Sequence, residues 1–427
     1  MLLVQREWSP VAVSDQTVVG HQVEDGVTIA QRALRAAPFY AMSFEKQAAA
    51  IEARGEHVVR FNLGEPDFGA PAAVREAMRT VMDGRPLTYT PALGLMALRE
   101  AIATFYWERH GVRVDPMRVV VTSGASSALL LAVASIVDVG SEVIMADPSY
   151  PCNRQLVESF GGRVVSVETT VATRFQLDRN LVERAWTEDT RAVMIASPSN
   201  PTGTSIAYDE LVAICADARA RGAWRLVDEI YLNLADPDEN GDPGRSVLAV
   251  DPDAIVINSF SKYFGMTGWR LGWCIVPERL VPALERLAMN YFLCASSPAQ
   301  QAALACFTPE TLAECEDRRT EFVARRAIVL AELARIGLPV PVEPDGAFYV
   351  YVDVSGTGLG AWEFCERALR EAHVAITPGR DFATHTADTH VRLSFATSRE
   401  ELRDGLARLG AFVTALGGAS GVPVTRR

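Results

Sequence analysis

The stretch Ala254-Ile255-Val256-Ile257-Asn258-Ser259-Phe260-Ser261-Lys262-Tyr263-Phe264-Gly265-Met266-Thr267-Gly268-Trp269-Arg270 decides the fold. Residues 254–258 form a short, largely β-branched apolar run, which reads as a buried strand. At Ser259-Phe260-Ser261-Lys262 the run gives way to small residues and a lysine. Open α/β sheets bind ligands outside the carboxyl ends of their strands. An amine in that position can form an imine with an aldehyde, if its pKa is lowered enough to leave it partly neutral. Arg270 as a charged fork, with Ser259 and Ser261 as hydroxyl donors, could then hold a phosphate. Taken alone, the same residues also read as a surface turn carrying a lysine.

Working outward, strands and helices alternate. Strands are expected at 118–122, 141–146, 163–167, 191–196, 224–227, 254–258 and 271–276, with helices at 126–137 and 209–220. This pattern predicts an α/β body with a mostly parallel sheet flanked by helices. Ahead of it lie helical patterns at 31–54, interrupted by Pro38, and at 72–82, entered after Pro71. Behind it a long charged helix is expected at 309–335. Past residue 335, strands at 347–352 and 391–395 flank a helix at 361–372, which reads as a smaller α+β unit. The expected division is an N-terminal arm over 1–30, a segment 31–70 that contributes to the small domain, a large domain over 71–305 and a C-terminal small domain over 306–427. The tail 417–427 reads as frayed.

Four further motifs follow expected strands. In Val227-Asp228-Glu229-Ile230-Tyr231, Asp228 ends an apolar strand, where a buried carboxylate needs a cationic partner. A protonated ring nitrogen is such a partner and makes the ring a better electron sink; Tyr231 could reach a ring hydroxyl. A helix N-cap with a core tyrosine is the structural alternative. Ser197-Pro198-Ser199-Asn200-Pro201-Thr202-Gly203 is a turn whose prolines and glycine hold Asn200 rigidly. Thr122-Ser123-Gly124-Ala125-Ser126-Ser127-Ala128 joins a strand to a helix whose first N–H groups form an anion site, unless it is a plain capping turn. Asp147-Pro148-Ser149-Tyr150-Pro151 offers Tyr150 for stacking on an aromatic ring, or as a half-buried tyrosine.

In this order, and from about residue 38 to about 396, the set resembles the class I/II aminotransferases of pyridoxal phosphate (PLP) fold type I, the aspartate aminotransferase superfamily. The resemblance implies a large PLP-binding domain with a smaller α+β domain. It implies that Lys262 is the Schiff-base lysine and proton shuttle, and that Asp228 faces the pyridine nitrogen. Asn200 and Tyr231 resemble the pair on the ring hydroxyl, and Tyr150 the stacked aromatic residue. Gly124, Ala125, Ser126, Ser259, Arg270 and, within the same motif, Ser261 resemble the phosphate cup. Arg392, in Val391-Arg392-Leu393-Ser394-Phe395, resembles the arginine that grips the substrate α-carboxylate in a bidentate pair. Gly64, in Asn62-Leu63-Gly64-Glu65-Pro66-Asp67, resembles the residue whose backbone approaches that carboxylate. Tyr89 resembles the tyrosine that reaches the phosphate of a neighbouring subunit, which implies a homodimer. The implied activity is ping-pong transfer of an amino group from an L-amino acid to a 2-oxo acid. Same-fold lyases, cyclases and oxidases need the same lysine, aspartate and phosphate cup, so they stand as the alternative.

Two departures bear on the substrate. Dicarboxylate-specific members carry a second arginine shortly before a Ser-Asn-Pro turn, but residues 289–298 contain none and Phe292 falls near its place. Neutral or aromatic donors are therefore expected over aspartate. Arg380, in Pro378-Gly379-Arg380-Asp381-Phe382, stands where a small residue is common. It is either a surface residue or a bias toward an acidic or large substrate.

Composition sets the bounds. A net charge of −12 gives no general pull toward nucleic acid or anionic membrane. A PLP-sensing regulatory domain is the remote alternative; the roughly 30 residues ahead of the body are too few for a winged helix. Seven cysteines with no C-x-x-C pair suit free thiols in a reducing cytoplasm, and no secretory signal or membrane-length apolar run is read. No histidine spacing suits a metal; His385 and His390, flanking a polar loop, read as surface residues. Gly356-Thr357-Gly358-Leu359-Gly360-Ala361 fits a dinucleotide fingerprint but lacks the following βαβ repetition, and is read as a turn and helix cap.

Overall fold

Side chains along successive strands point to opposite faces, so a strand covered on both sides is apolar throughout. Residues 119–121, on an edge strand of the main sheet, and 255–257, on an inner one, follow that rule. In the computed structural model, which describes residues 28–237 and 244–420 (418–420 as backbone only), Val119 and Val121 enter one core and Val120 the other. Val256 likewise faces one core while Ile255 and Ile257 face the other. The chain divides into two compact units, Met1–Pro38 and Phe39–Arg427. The expected arm over 1–30 lies almost wholly outside the described residues.

The strands in chain order are β1 (Val59–Arg60), β2 (Val119–Thr122), β3 (Glu142–Asp147), β4 (Arg163–Glu168), β5 (Thr190–Ala196), β6 (Trp224–Asp228), β7 (Ile255–Ser259), β8 (Gly272–Ile275), β9 (Tyr349–Asp353), β10 (Val374–Ala375), β11 (Thr377–Pro378) and β12 (His390–Ser394). Seven form the main sheet in the order β2-β8-β7-β6-β5-β3-β4. All its pairings are parallel except those of β8, which runs against both neighbours. Because β8 alone is reversed, β2, β3, β5, β6 and β7 end on the same edge, at Thr122, Asp147, Ala196, Asp228 and Ser259. This is the α/β architecture with a mostly parallel sheet that the alternation predicts.

The helices are α1 (Gln31–Arg35), α2 (Tyr40–Glu52), α3 (Ala72–Val81), α4 (Met96–His110), α5 (Ala125–Ile136), α6 (Pro151–Ser159), α7 (Arg179–Ala185), α8 (Tyr208–Ala220), α9 (Val281–Tyr291), α10 (Ser297–Ala303), α11 (Pro309–Arg335), α12 (Ala361–Ala372) and α13 (Arg399–Ser420). The predicted helices at 309–335 and 361–372 match to the residue. Helices α4, α6, α7, α9, α10 and α13 stand where no element was expected. Of the tail expected at 417–427, residues 417–420 end α13, and 421–427 lie outside the described residues.

Beyond the main sheet, β9, β12 and β11 form an antiparallel sheet in which Arg392 pairs with Tyr351 and Thr377. Strand β1 pairs in parallel with β10. His390 is not a surface residue: it opens β12 buried, with its ring stacked 4.8 Å from that of Tyr351. The loop beside it is polar, but the sheet register turns this ring inward. The Gly356 stretch is the expected turn, with Gly358 in the left-handed region and Gly360 as the N-cap of α12. Among the described residues no helix is long and apolar enough to cross a membrane.

Candidate active site

The shared strand edge opens into a cavity of about 230 Å³. Ala125, Ser126, Tyr150, Asn200, Asp228, Tyr231, Ser259, Ser261, Lys262, Arg270, Arg392 and Gly64 all line it. Two expected residues do not. Gly124 lies behind Arg270, and Tyr89 is 79% exposed and outside the lining. Motifs spread over more than 300 residues are thus gathered on one wall set, mostly by strand ends.

Lys262 follows β7 by three residues, half-buried, and its Nζ donates to the Gly64 carbonyl at 2.5 Å. Burial lowers its pKa to about 8; Glu65 opposes the shift, while Arg392 and Arg270 add to it. A buried amine resists protonation because charge is costly away from water. Asp228 ends β6 fully enclosed, and its Oδ1 accepts from the Ile230 N–H at 3.1 Å. Desolvation raises its pKa to about 6, with that hydrogen bond and Lys262 pulling the other way. A buried carboxylate so thinly paired suits a cationic ligand atom.

The phosphate-type corner is built from backbone. Gly124 is the N-cap of α5 at φ +89°. A Cβ there would lie 2.5 Å from Arg270 Nη2, so only glycine admits the guanidinium against the helix start. The first amides of α5, at Ala125 and Ser126, have no carbonyl one turn back to bond. Across from them, Ser259 Oγ donates to the Leu271 carbonyl at 3.1 Å and accepts from the Ser261 N–H at 3.0 Å. Arg270 Nη1 donates to the Thr267 carbonyl at 3.0 Å, which folds the arginine back over the turn.

Arg392 is buried in β12 with its head in the cavity. Nη1 donates to Asn200 Oδ1 at 3.0 Å, and Nη2 to the Asn62 carbonyl at 2.6 Å and to Thr377 Oγ1 at 3.3 Å. Its Nε has no partner. The guanidinium is sandwiched between the rings of Tyr349 and Phe382, at 4.6 and 4.8 Å. A desolvated fork with a spare donor suits a carboxylate.

Several residues escaped the sequence reading. Tyr349 lies at the centre: its hydroxyl is 2.7 Å from that of Tyr231, and a Cβ on Gly64 would lie 2.6 Å from it. It sits in the run Ala347 to Val352, apolar throughout, where no alternation singles out one side chain. Asn62, Phe39, Met42 and Leu63 also line the cavity. Of these, Asn62 and Leu63 stood beside Gly64 in a quoted motif, but Asn62 acts through its carbonyl, which carries no residue-type signal. Arg380 does not line the cavity; its guanidinium lies 4.4 Å from the Trp362 ring, on an exposed residue. Phe292 also lies outside the lining.

The profile of the family described as aminotransferase class I and II matches residues 56–409. The chain is 39% identical over 384 residues to a valine–pyruvate aminotransferase of Mycobacterium tuberculosis, covering 89% of this chain and 98% of that protein. It is 35% identical to an aspartate/prephenate aminotransferase of Thermus thermophilus, covering 87% and 95%. The crystal structure of an aminotransferase from M. tuberculosis superposes with a TM-score of 0.86 at 38% identity, over 91% of this chain and 99% of that one. The T. thermophilus aspartate aminotransferase with maleate superposes with a TM-score of 0.84 at 34% identity, over 90% and 99%.

Proposed function

The chain belongs to the class I and II aminotransferases, PLP-dependent enzymes that exchange amino groups between amino acids and 2-oxo acids, and from that premise we propose which of its residues do the work and which substrates it takes. The residues fit the cofactor. An enclosed, thinly paired Asp228, an amine at Lys262, and an arginine wedged against a glycine at a helix start match a ring nitrogen, an aldehyde and a phosphate. When bound, PLP takes up the electron pair left on the substrate Cα as its proton departs.

In this reading Lys262 holds the cofactor at its aldehyde and then, as the neutral amine, carries the proton from the substrate Cα. Burial supports that role by leaving more of the amine neutral, the form that can accept a proton. Asp228 faces the ring nitrogen. Gly124, Ala125, Ser126, Ser259, Ser261 and Arg270 form the phosphate cup. Tyr150 packs on the ring, and Asn200 and Tyr231 flank its hydroxyl. Tyr349, bonded to Tyr231, fixes the direction of that phenol. Arg392 binds the α-carboxylate beside the Gly64 backbone and so orients the Cα–H bond. The observation that carries this reading is the placement of Lys262, Asp228 and Arg392 in one cavity.

The donor is proposed to be neutral or aromatic. Three cations line the cavity, Lys262, Arg270 and Arg392, and the cofactor and α-carboxylate occupy all three. Phe39, Met42 and Leu63 are left to meet the side chain. The likeness to a valine–pyruvate aminotransferase agrees with this, and valine with pyruvate is the pair to try first. Tyr89, 79% exposed and outside the cavity of its own chain, is proposed to complete the site of a neighbouring copy in a homodimer. Free thiols at all seven cysteines support a cytoplasmic location.

The test is a half-reaction screen. Purified protein with PLP is mixed with single amino acids, and the cofactor absorbance and the released 2-oxo acid are followed. Conversion of the cofactor to its amine form by valine, alanine or phenylalanine, ahead of aspartate, is the expected result. Aspartate reacting well ahead of them overturns the donor assignment. Ammonia released without a 2-oxo acid from the intact donor moves the enzyme to elimination chemistry.

A further inference from the structure

Helix α2 begins without a cap of its own. Its N-cap residue is Phe39, which has no side chain able to accept, so the first helical amides need an outside partner. Asp381 supplies it from 341 positions away. Its Oδ1 accepts from the Tyr40 N–H at 2.8 Å and its Oδ2 from the Ala41 N–H at 2.8 Å. The residue is 8% exposed. A carboxylate on a helix N-terminus is also favoured by the helix dipole.

One of the two elements joined in this way lines the active-site cavity, and the other supports Arg392 from behind it. On one side, Phe39, Ala41 and Met42 line the cavity. On the other, the segment carrying Asp381 is built around Arg392: Thr377 Oγ1 accepts from it, and the Phe382 ring lies 4.8 Å from its guanidinium. The same segment reaches the Tyr150 turn, where the Ser149 N–H donates to the Phe382 carbonyl at 2.9 Å. The Arg380 guanidinium lies 4.4 Å from the Trp362 ring and 5.9 Å from the Tyr40 ring, and the Tyr40 and Trp362 rings are 5.1 Å apart, edge to face.

We infer that Asp381 is a positioning residue for substrate selection: its carboxylate pins the start of α2, and with it the apolar wall of Phe39 and Met42, at a set distance from the Arg392 carboxylate site. This rests on the reading of Arg392 given above. With the carboxylate of the substrate held at Arg392, the wall meets whatever side chain projects from Cα. A donor with several apolar carbons depends on the wall, whereas the single methyl of alanine buries little there.

The experiment compares holoenzyme half-reactions of wild type, Asp381→Asn, Asp381→Glu and Arg392→Lys with alanine, valine and phenylalanine. The amide in Asp381→Asn keeps one acceptor and turns its NH2 against the second helix amide. The apparent Kd for valine and phenylalanine should rise roughly five- to tenfold, the size expected for a lost cap, while that for alanine rises less than about twofold. The limiting rate and PLP retention should hold, and Asp381→Glu should recover part of the loss. Equal losses for all three donors, or PLP release, would show a merely structural cap and overturn the inference. Should Asp381→Asn not fold, hydrogen exchange at the Tyr40 and Ala41 amides of Asp381→Glu decides the matter. Faster exchange with reduced preference for valine over alanine supports the latch, and faster exchange with unchanged preference overturns it. Arg392→Lys separates the two readings. If it leaves all three donors unaffected, the carboxylate assignment fails and the latch with it; if it weakens all three while Asp381→Asn is unselective, the latch alone fails.

Discussion

At Lys262, burial and two neighbouring arginines act in the same direction, and the amine is held at a pKa of about 8. Below that value the neutral fraction rises about tenfold per pH unit, so capture of PLP by the apoprotein should accelerate to about pH 8 and then level off. An ordinary lysine would continue to gain to its usual 10.5. Stopped-flow absorbance across pH 6 to 10 is the measurement; a rate still climbing past about pH 9 would contradict the shift. Asp228 shows the opposite sign from most carboxylates. Its folded pKa of about 6 lies above the ordinary 3.8, so the apoprotein loses stability as pH rises between those values. Asp228→Asn should therefore stabilise the apoprotein at pH 8 by on the order of 2 kcal/mol, a gain that fades as the pH falls to about 4. Transamination should fall roughly 10²-fold or more, because the electron sink loses its anion. Thermal unfolding of the apoprotein at both pH values checks the first part and a half-reaction the second. Lys262 and Asp228 were legible because each breaks an apolar pattern at a strand end. Tyr349 and Asp381 were not: one lies in a run apolar throughout, and the other acts on helix amides 341 positions away.

At the scale of elements, the start of α5 is the tightest junction of the site. Gly124 has positive φ and no room for a Cβ, with Arg270 packed against it. Gly124→Ala should raise the dissociation constant for PLP at least about tenfold while leaving the apoprotein folded, since strain and the displaced guanidinium act together at the phosphate corner. Fluorescence titration with PLP reads this directly; unchanged affinity would place the phosphate elsewhere. Strands β2 to β9 and β12 and the helices α2, α3, α5, α8, α11 and α12 were readable because period and punctuation agree there, whereas β1, β10 and β11, two residues each, are too short to show a period. Helix α11 starts at Pro309 behind the Thr308 cap, whose side chain accepts from the Thr311 amide. Helix α4 was missed because its buried face mixes Leu98, Arg99, Ile102 and Tyr106, and the buried Arg99 blurs the apolar stripe. Arg99 is satisfied by the carbonyls of Pro116 and Met117, a contact that only the fold supplies. Helix α13 was not expected at all; Leu402, Leu406, Leu409 and Phe412 dock it on the core, and it continues through Gly417 and Gly418 despite their low helix propensity.

At the scale of the whole molecule, the proposed dimer makes a prediction that no single chain can satisfy. Lys262→Ala and Tyr89→Ala each impair their own homodimer. If Tyr89 serves the neighbouring site, unfolding and refolding the two variants together should regain activity above the sum of the two alone, because one site in each mixed dimer has both residues. Activity equal to that sum, with mixed dimers present by mass, would put Tyr89 outside the site. We also propose that residues 71–305 form the large domain, with 306–427 and the segment ending at residue 70 forming the small one; the pairing of β1 with β10 supports this grouping. By itself the sequence determined the architecture, the cofactor class and the order of the cofactor motifs. Strand periodicity is local, and a lysine, an aspartate and a glycine-led helix start keep their chemical meaning wherever they occur. Tertiary structure alone decided that Arg392 is sandwiched between Tyr349 and Phe382, that Tyr349 braces Tyr231, and that Asp381 caps α2. Those contacts join residues far apart in the chain through sheet register and packing, and neither leaves a trace in the residues on either side.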